Sequence, residues 1–193
     1  MSRKPSRQTL RTRRLLQEAL IELVQEQEFN ELRIQDITDR ADLGRATFYM
    51  HYTDKEDLLA AVAEKACIEI ESELDKFEER REFVGLQWAL EHAKERPQLY
   101  RVVLGHQKSV ERIRRFIIGR ATESLDTAQK EIGGTSKFNN GVTAHIIAGG
   151  ILAILNWWLE NPDRVSPKEL QDQFNFIITQ GVPHLLTLRD EHE

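Results

Sequence analysis

A single cysteine, Cys67, stands in a chain of 193 residues. One thiol excludes an internal disulfide framework, and no Cys/His pair at ligand spacing suggests a zinc or other metal site. A Ser/His/Asp or Cys/His arrangement and a glycine-rich phosphate loop are also missing, so nothing asks for catalysis or for a cofactor. The opening MSRKPSRQTLRTRR has no apolar core of the signal-peptide kind. The one run that suggests a membrane span, residues 142–159, is broken by Thr143, His145 and Asn156. It is barely long enough to cross, and a helix buried on most sides is the expectation. The cytoplasm follows as the expected compartment, with no membrane partner.

An overall excess of positive charge is absent too, because the formal net charge is -5. The protein is not of the kind that coats nucleic acid, and any DNA binding must rest on a local concentration of cations. One is present: Arg3, Lys4, Arg7, Arg11, Arg13 and Arg14 fall within the first fourteen residues, which contain no acid. Hydrophobic residues make up 40% and charged residues 31%, ordinary for a globular protein and contrary to disorder. The length suffices for one small and one larger helical domain.

Helical periodicity runs through nearly the whole chain, and no stretch alternates as a strand would. Leu16, Ala19, Leu20, Leu23 and Val24 form one stripe at i, i+3, i+4, i+7 and i+8. Ile34, Ile37 and Ala41 make a short second stripe, which Asp42-Leu43-Gly44 interrupts before a further short segment, 45–51. Thr53 with Glu56 has the form of a capping box, opening a helix from about residue 54 to about residue 80. Leu58, Leu59, Val62, Ala66, Ile70 and Leu74 or Phe77 would face inward. A larger helical part follows, with a stripe over 83–95, Pro97 in a first turn, and a long helix ending before Gly133-Gly134. The apolar helix 142–159 stops at Asn161-Pro162, and Ser166-Pro167 starts a last helix through Phe174, Ile177, Ile178 and Leu185. The expected fold is all-α: an N-terminal three-helix helix-turn-helix domain, residues 1–60, and a C-terminal helical domain, residues 61–193, for ligand binding and dimerisation.

Residues 34–59, IQDITDRADLGRATFYMHYTDKEDLL, carry the function. Two short helices joined by a three-residue turn have one well-known use, which is to lay the second helix across a DNA major groove. Ile37, Ala41, Leu43 and Phe48 are apolar where the two helices must pack, and Ala41 is small. Arg45, Ala46, Thr47, Tyr49, Met50 and His51 are the outward positions. This mix suits base edges, thymine methyl groups and phosphates.

Through Gly44-Arg45-Ala46-Thr47-Phe48-Tyr49-Met50-His51-Tyr52 and then Asp54-Lys55-Glu56-Asp57-Leu58-Leu59, the sequence resembles the TetR family. The resemblance is specific over about residues 9–60. It implies that Tyr49 and Lys55 contact phosphate, that Arg45, Thr47 and Gln35 read bases, and that His51 lies against the backbone or groove floor. It also implies that the arm bearing Arg3, Lys4 and Arg7 follows the backbone or enters a minor groove, supplying a counterion-release term. Two positions depart from the family pattern. Asp42 stands where glycine is usual in the turn, and Asp tolerates a left-handed conformation better than most residues. Arg33 stands where a capping Thr is usual, which costs about 1 kcal/mol and leaves a charge contact in place of a hydroxyl.

The apolar helix 142–159 has too many apolar faces for one core, so a second subunit is expected against it. Ile147, Gly150, Ile151, Ile154 and Trp158, with Phe174 and Ile178 of the last helix, are the expected homodimer interface, with Gly149 and Gly150 allowing close approach to the partner. The resemblance implies the same four-helix interface, and a C-terminal pocket for an apolar or amphipathic inducer that releases a palindromic operator. Trp88, His106 and Trp157 are the pocket candidates, although aromatic residues at helical spacing are usually core. Repression is the expected sign. The alternatives are a helical dimeric ligand-binding or enzymatic protein in which residues 34–59 are scaffold, and an interaction protein without sequence-specific DNA binding.

Overall fold

The first helix begins where Ser6 supplies a cap: its hydroxyl accepts the N–H of Thr9 at 3.1 Å, answering one of the donors that a helix start leaves unpaired. The computed structural model describes residues 6–74, 85–132 and 139–180. Among them lie nine helices and no strand, so the chain is all-α as the periodicity requires. They are α1 (Arg7–Glu26), α2 (Ile34–Arg40), α3 (Arg45–Tyr49), α4 (Lys55–Leu74), α5 (Gly85–Glu95), α6 (Pro97–Gly105), α7 (Gln107–Ile132), α8 (Asn140–Glu160) and α9 (Pro167–Gln180). The expected ends of the fourth helix near residue 80 and of the last near Leu185 lie outside the described residues, as do Arg3, Lys4 and Phe77.

The chain packs as two compact units, Met1–Cys67 with Arg96–Ile113, and Ile68–Glu95 with Arg114–Glu193. The first unit therefore takes in sequence from well beyond residue 60. Its core is built by Leu16, Ala19, Leu20, Leu23 and Val24 of α1, all buried, with Ile37, Phe48, Leu58 and Leu59. α6 packs on α1. The His106 ring that follows α6 meets the Phe29 ring edge-on, with centroids 4.5 Å apart. Lys108 pairs with Asp54 at 2.6 Å, and Arg112 with Asp57 at 2.7 Å and Glu64 at 3.1 Å.

The turn between α2 and α3 shows how its residues dictate its shape. Asp42 has φ 53, the one left-handed non-glycine residue described. The Leu43 N–H reaches back to the Thr38 carbonyl at 2.9 Å, and the Asp42 N–H to the Asp39 carbonyl at 3.2 Å. These two bonds make a Schellman ending with Asp where glycine is commonest. The α2 start also differs from a bare loss of a cap. Arg33 is the N-cap residue, and the Asp36 carboxylate accepts its N–H at 2.8 Å, so the return half of a capping box is kept. At α4 the box sits one residue later than expected. Asp54, not Thr53, caps the helix, with its Oδ1 accepting the Asp57 N–H at 2.7 Å, while Asp57 Oδ2 accepts the Thr53 N–H at 3.2 Å.

The second unit is centred on α5, α8 and α9, with α5 packed against both of the others. Gln171 of α9 is buried, and its Oε1 accepts the Gln87 N–H at 2.8 Å, so a side chain from one helix caps the first turn of another. Ser166 and Glu169 form a reciprocal capping box at the start of α9, as Ser166-Pro167 leads one to expect. α8 is long and apolar enough to cross a membrane by length and composition alone. Ala144, Ile147, Ala148, Ile151, Leu152, Leu155, Trp158 and Leu159 are nevertheless buried within its own chain.

The left-handed residue yields a stability test. Asp42→Gly relieves the Cβ strain at φ 53 and should raise the thermal midpoint by the equivalent of about 1 kcal/mol. Asp42→Val, branched at Cβ, should lower it, and thermal unfolding followed by circular dichroism reads both.

Candidate nucleic-acid interface

α3 has five residues, too few to hold itself as a helix, and its side chains divide sharply. Phe48 is fully buried, and Tyr52, one turn on, is 5% exposed with its ring 5.9 Å from that of Phe48. The Tyr52 hydroxyl accepts Gln17 Nε2 at 3.2 Å, tying the end of the motif to α1. With these two inward, Arg45, Ala46, Tyr49 and Met50 are left exposed, Met50 to 79% and Tyr49 to 52%. Thr47 and His51 are half-buried at the edges of that face. Tyr49 stands edge-on to Phe48 at 5.5 Å, so its ring is steered outward from the core. On α2, Gln35 and the preceding Arg33 are exposed, and Gln35 Nε2 donates to Asp39 Oδ1.

Charge is distributed to match. Arg7, Arg11, Arg13 and Arg14 lie exposed along the N-terminal half of α1. Arg7 is thus in a helix, not in an arm. Arg40 is neutralised locally by Glu26 at 2.6 Å and Glu22 at 3.1 Å, which fastens α2 to α1. The hydrogen bond from Arg40 holds the Glu26 carboxyl below its ordinary range. Burial, and then the charge of Arg13, push the His51 imidazole below its usual value, which favours its neutral form. Lys55 does not point to the open face. Its ammonium donates to the carbonyls of Phe29, Asn30 and Leu32 at 2.8, 3.0 and 2.9 Å.

The family model for bacterial regulatory proteins of the tetR family matches residues 16–62, the stretch from the α1 stripe to the buried start of α4. The N-terminal helix-turn-helix domain belongs to the TetR family. An uncharacterized HTH-type transcriptional regulator, YxbF, of Bacillus subtilis (strain 168) is 42% identical over 65 residues, 33% of this chain. The matched stretch spans only 17% of that regulator's length. Among solved structures, the transcriptional regulator FadR from Bacillus subtilis, in complex with stearoyl-CoA, superposes with a TM-score of 0.68 at 15% identity. That match covers 88% of this chain and 98% of FadR. RolR in complex with resorcinol gives 0.67 at 21% identity over 88% of this chain and 86% of RolR. At such identities the likeness establishes a common fold, reaching beyond the helix-turn-helix into the C-terminal helices.

Within those C-terminal helices the expected residues separate. Ile147, Ile151, Trp158 and Phe174, expected at a subunit interface, are buried within their own unit. Gly150 faces Phe174 of the same chain so closely that a Cβ there would lie 3.0 Å from its ring. Ile154 and Ile178 are half-buried. The large apolar residues left open on α8 are others: Val142 at 60%, Ile146 at 63% and Trp157 at 40% exposed, with Ala153 and the expected Gly149 between them. Their spacing of i, i+4, i+7, i+11 and i+15 was legible, but an all-round apolar helix does not say which stripe is outside. Among the pocket candidates, Trp88 is half-buried on α5 and Trp157 belongs to this open stripe. His106 lies in the first unit, with Nδ1 2.7 Å from the Val102 carbonyl and its ring on Phe29.

Asp54 gives a pH test of the junction between α4 and α7. Burial raises its pKa, but the Lys108 hydrogen bond and the Asp57 N–H outweigh it and hold the carboxyl below its ordinary 3.8. The folded-state value is depressed, so this stabilisation is complete above the unfolded value and is lost as pH falls through the folded one. Asp54→Ala should lower stability by about 1 kcal/mol at neutral pH, through the lost cap. The gap from wild type should shrink as an acid titration passes below the carboxylate range.

Proposed function

We propose that this chain is a cytoplasmic, ligand-responsive transcriptional repressor that binds a palindromic operator in double-stranded DNA as a homodimer, and that it is not an enzyme. The observation that carries this reading is the open face of α3: Arg45, Ala46, Tyr49 and Met50 exposed together on a helix whose Phe48 is locked in the core. Such a face offers a guanidinium for a guanine edge, methyl groups for thymine and a phenol for phosphate. Thr47, His51, Gln35 and Arg33 stand at its margins, and the α1 arginines with Arg3 and Lys4 add the sequence-independent attraction that an acidic chain otherwise lacks.

One short helix reads too few base pairs for a unique site, and a twofold axis doubles the contacts with recognition helices roughly 34 Å apart. The stripe Val142, Ile146, Gly149, Ala153 and Trp157, with Ile177 of α9, is the surface we assign to the second copy. It is apolar and exposed, and the two glycine and alanine positions permit close helix approach. The inducer would be apolar or amphipathic and would occupy the C-terminal helices near Trp88. FadR and RolR, similar in fold, were solved with stearoyl-CoA, a long acyl chain on a polar carrier, and resorcinol, a small aromatic diol, both amphipathic. To release DNA it must favour the non-binding conformation over the binding one.

The first test is selection of bound duplexes from a random DNA pool by the wild type and by Arg45→Ala and Tyr49→Ala variants. The wild type should recover a palindrome. Arg45→Ala should lose about 1–3 kcal/mol of preference at one base pair per half-site, whereas Tyr49→Ala should weaken all sequences alike. A folded wild type that recovers nothing at low salt would leave the helix-turn-helix as scaffold for a binding or enzymatic protein. Ile146→Glu should give a monomer by sedimentation and weaken operator binding by orders of magnitude, because half the contacts are lost.

A further inference from the structure

The three carbonyls that meet Lys55 all belong to the loop between α1 and α2, and that loop delivers α2 to the recognition face. Phe29 and Leu32 are each 2% exposed, so the loop is pinned by two side chains beneath it. Its backbone turns on itself through Glu31 N–H to the Glu28 carbonyl and Leu32 N–H to the Phe29 carbonyl. The turn brings the carbonyls of Phe29, Asn30 and Leu32 to one point, and those of Phe29 and Leu32 are partly withdrawn from water, where a carbonyl calls for a donor. An ammonium has three donors and no acceptor. Lys55, in the first turn of α4, places it there at 2.8 to 3.0 Å from all three, and 4.8 Å from the centre of the Phe29 ring.

This arrangement is hard to reconcile with a phosphate contact by Lys55. Every N–H of the ammonium is engaged, and turning it to a phosphate would break three hydrogen bonds at once. We infer that Lys55 is a positioning residue for DNA binding: its ammonium clamps the α1–α2 loop through three main-chain carbonyls, and so fixes Arg33 and α2 beneath α3, without itself touching DNA. The inference rests on the DNA-binding reading above. Arginine is not a substitute, since its flat fork spreads donors in a plane and cannot converge three on one point.

The test uses the full-length chain, Lys55→Met and Lys55→Arg, and the palindromic duplex recovered by the wild type together with a random-sequence duplex. Three readings are taken: thermal midpoint, hydrogen exchange of the loop amides, and the slope of log affinity against log salt. Measurements are made well below each variant's midpoint. Lys55→Met should lower the midpoint by about 5 °C. It should speed exchange at Glu31 and Leu32 and weaken operator binding about tenfold or more, with the salt slope unchanged. Lys55→Arg, which keeps the charge and is the safer variant to fold, should show the same loosened loop and weakened binding.

A slope that falls by about 0.9 with the loop amides still protected would make Lys55 a phosphate ligand and overturn the inference. So would a Lys55→Arg variant that binds as the wild type does, or a folded Lys55→Met variant with undiminished affinity, which would make the clamp structural only. A wild type that binds neither duplex overturns the DNA-binding reading itself. Normal wild-type binding beside unaffected variants overturns only the assignment of Lys55.

Discussion

The seating of Phe48 is the constraint on which the N-terminal unit depends. A five-residue helix has no stability of its own, because nucleation alone is unfavourable and few hydrogen bonds follow. Complete burial of one aromatic side chain contributes about 1.5–3 kcal/mol, enough to hold so short a helix to its neighbours. Tyr52 adds a second anchor on the same side, bonded to Gln17 of α1. Once these two rings are inside, the helical repeat leaves Arg45, Ala46, Tyr49 and Met50 nowhere to go but outward. The open face is therefore a consequence of packing, not a separate feature laid on it.

That seating requires the backbone to turn tightly between α2 and α3, and the polar residues nearby serve the backbone more than one another. Asp42 adopts the left-handed conformation that closes the Schellman ending. Asp36 returns to the Arg33 N–H, Asp54 caps α4, and Lys55 answers three carbonyls. Each satisfies main-chain groups that would otherwise be unpaired at a helix end or in a loop. The same economy appears in the second unit, where buried Gln171 caps α5. A helix-turn-helix with short elements has many ends per residue, so its side-chain polar atoms are drawn disproportionately to caps.

α8 poses the opposite problem. Its apolar residues occur on every side, so periodicity marks it as buried without telling inside from outside. Packing with α5 and α9 resolves this: Ile147, Ile151 and Trp158 go into the chain's own core, with Phe174 against Gly150. Val142, Ile146 and Trp157 are left over. Hydrophobicity alone cannot separate the two groups, because Ile146 and Ile147, like Trp157 and Trp158, are the same residue type on neighbouring faces of one helix.

The sequence by itself determined the helical class, the α1 stripe, the place of the turn at Asp42, and the outward set on α3 apart from Thr47 and His51, which are half-buried. All of these follow from local rules: a 3.6-residue repeat, the steric tolerance of one side chain, and the burial of the aromatic that interrupts a polar run. Only the tertiary structure decided what depends on contacts distant in sequence. It drew Lys55 to carbonyls more than twenty residues away. It paired Asp54, the residue that caps α4, with Lys108, and it placed α6 and His106 in the unit of the first helices. A long flexible cation has many partners within its reach, and a helix apolar all round has several faces to bury. In both cases the choice belongs to the neighbours that folding brings up.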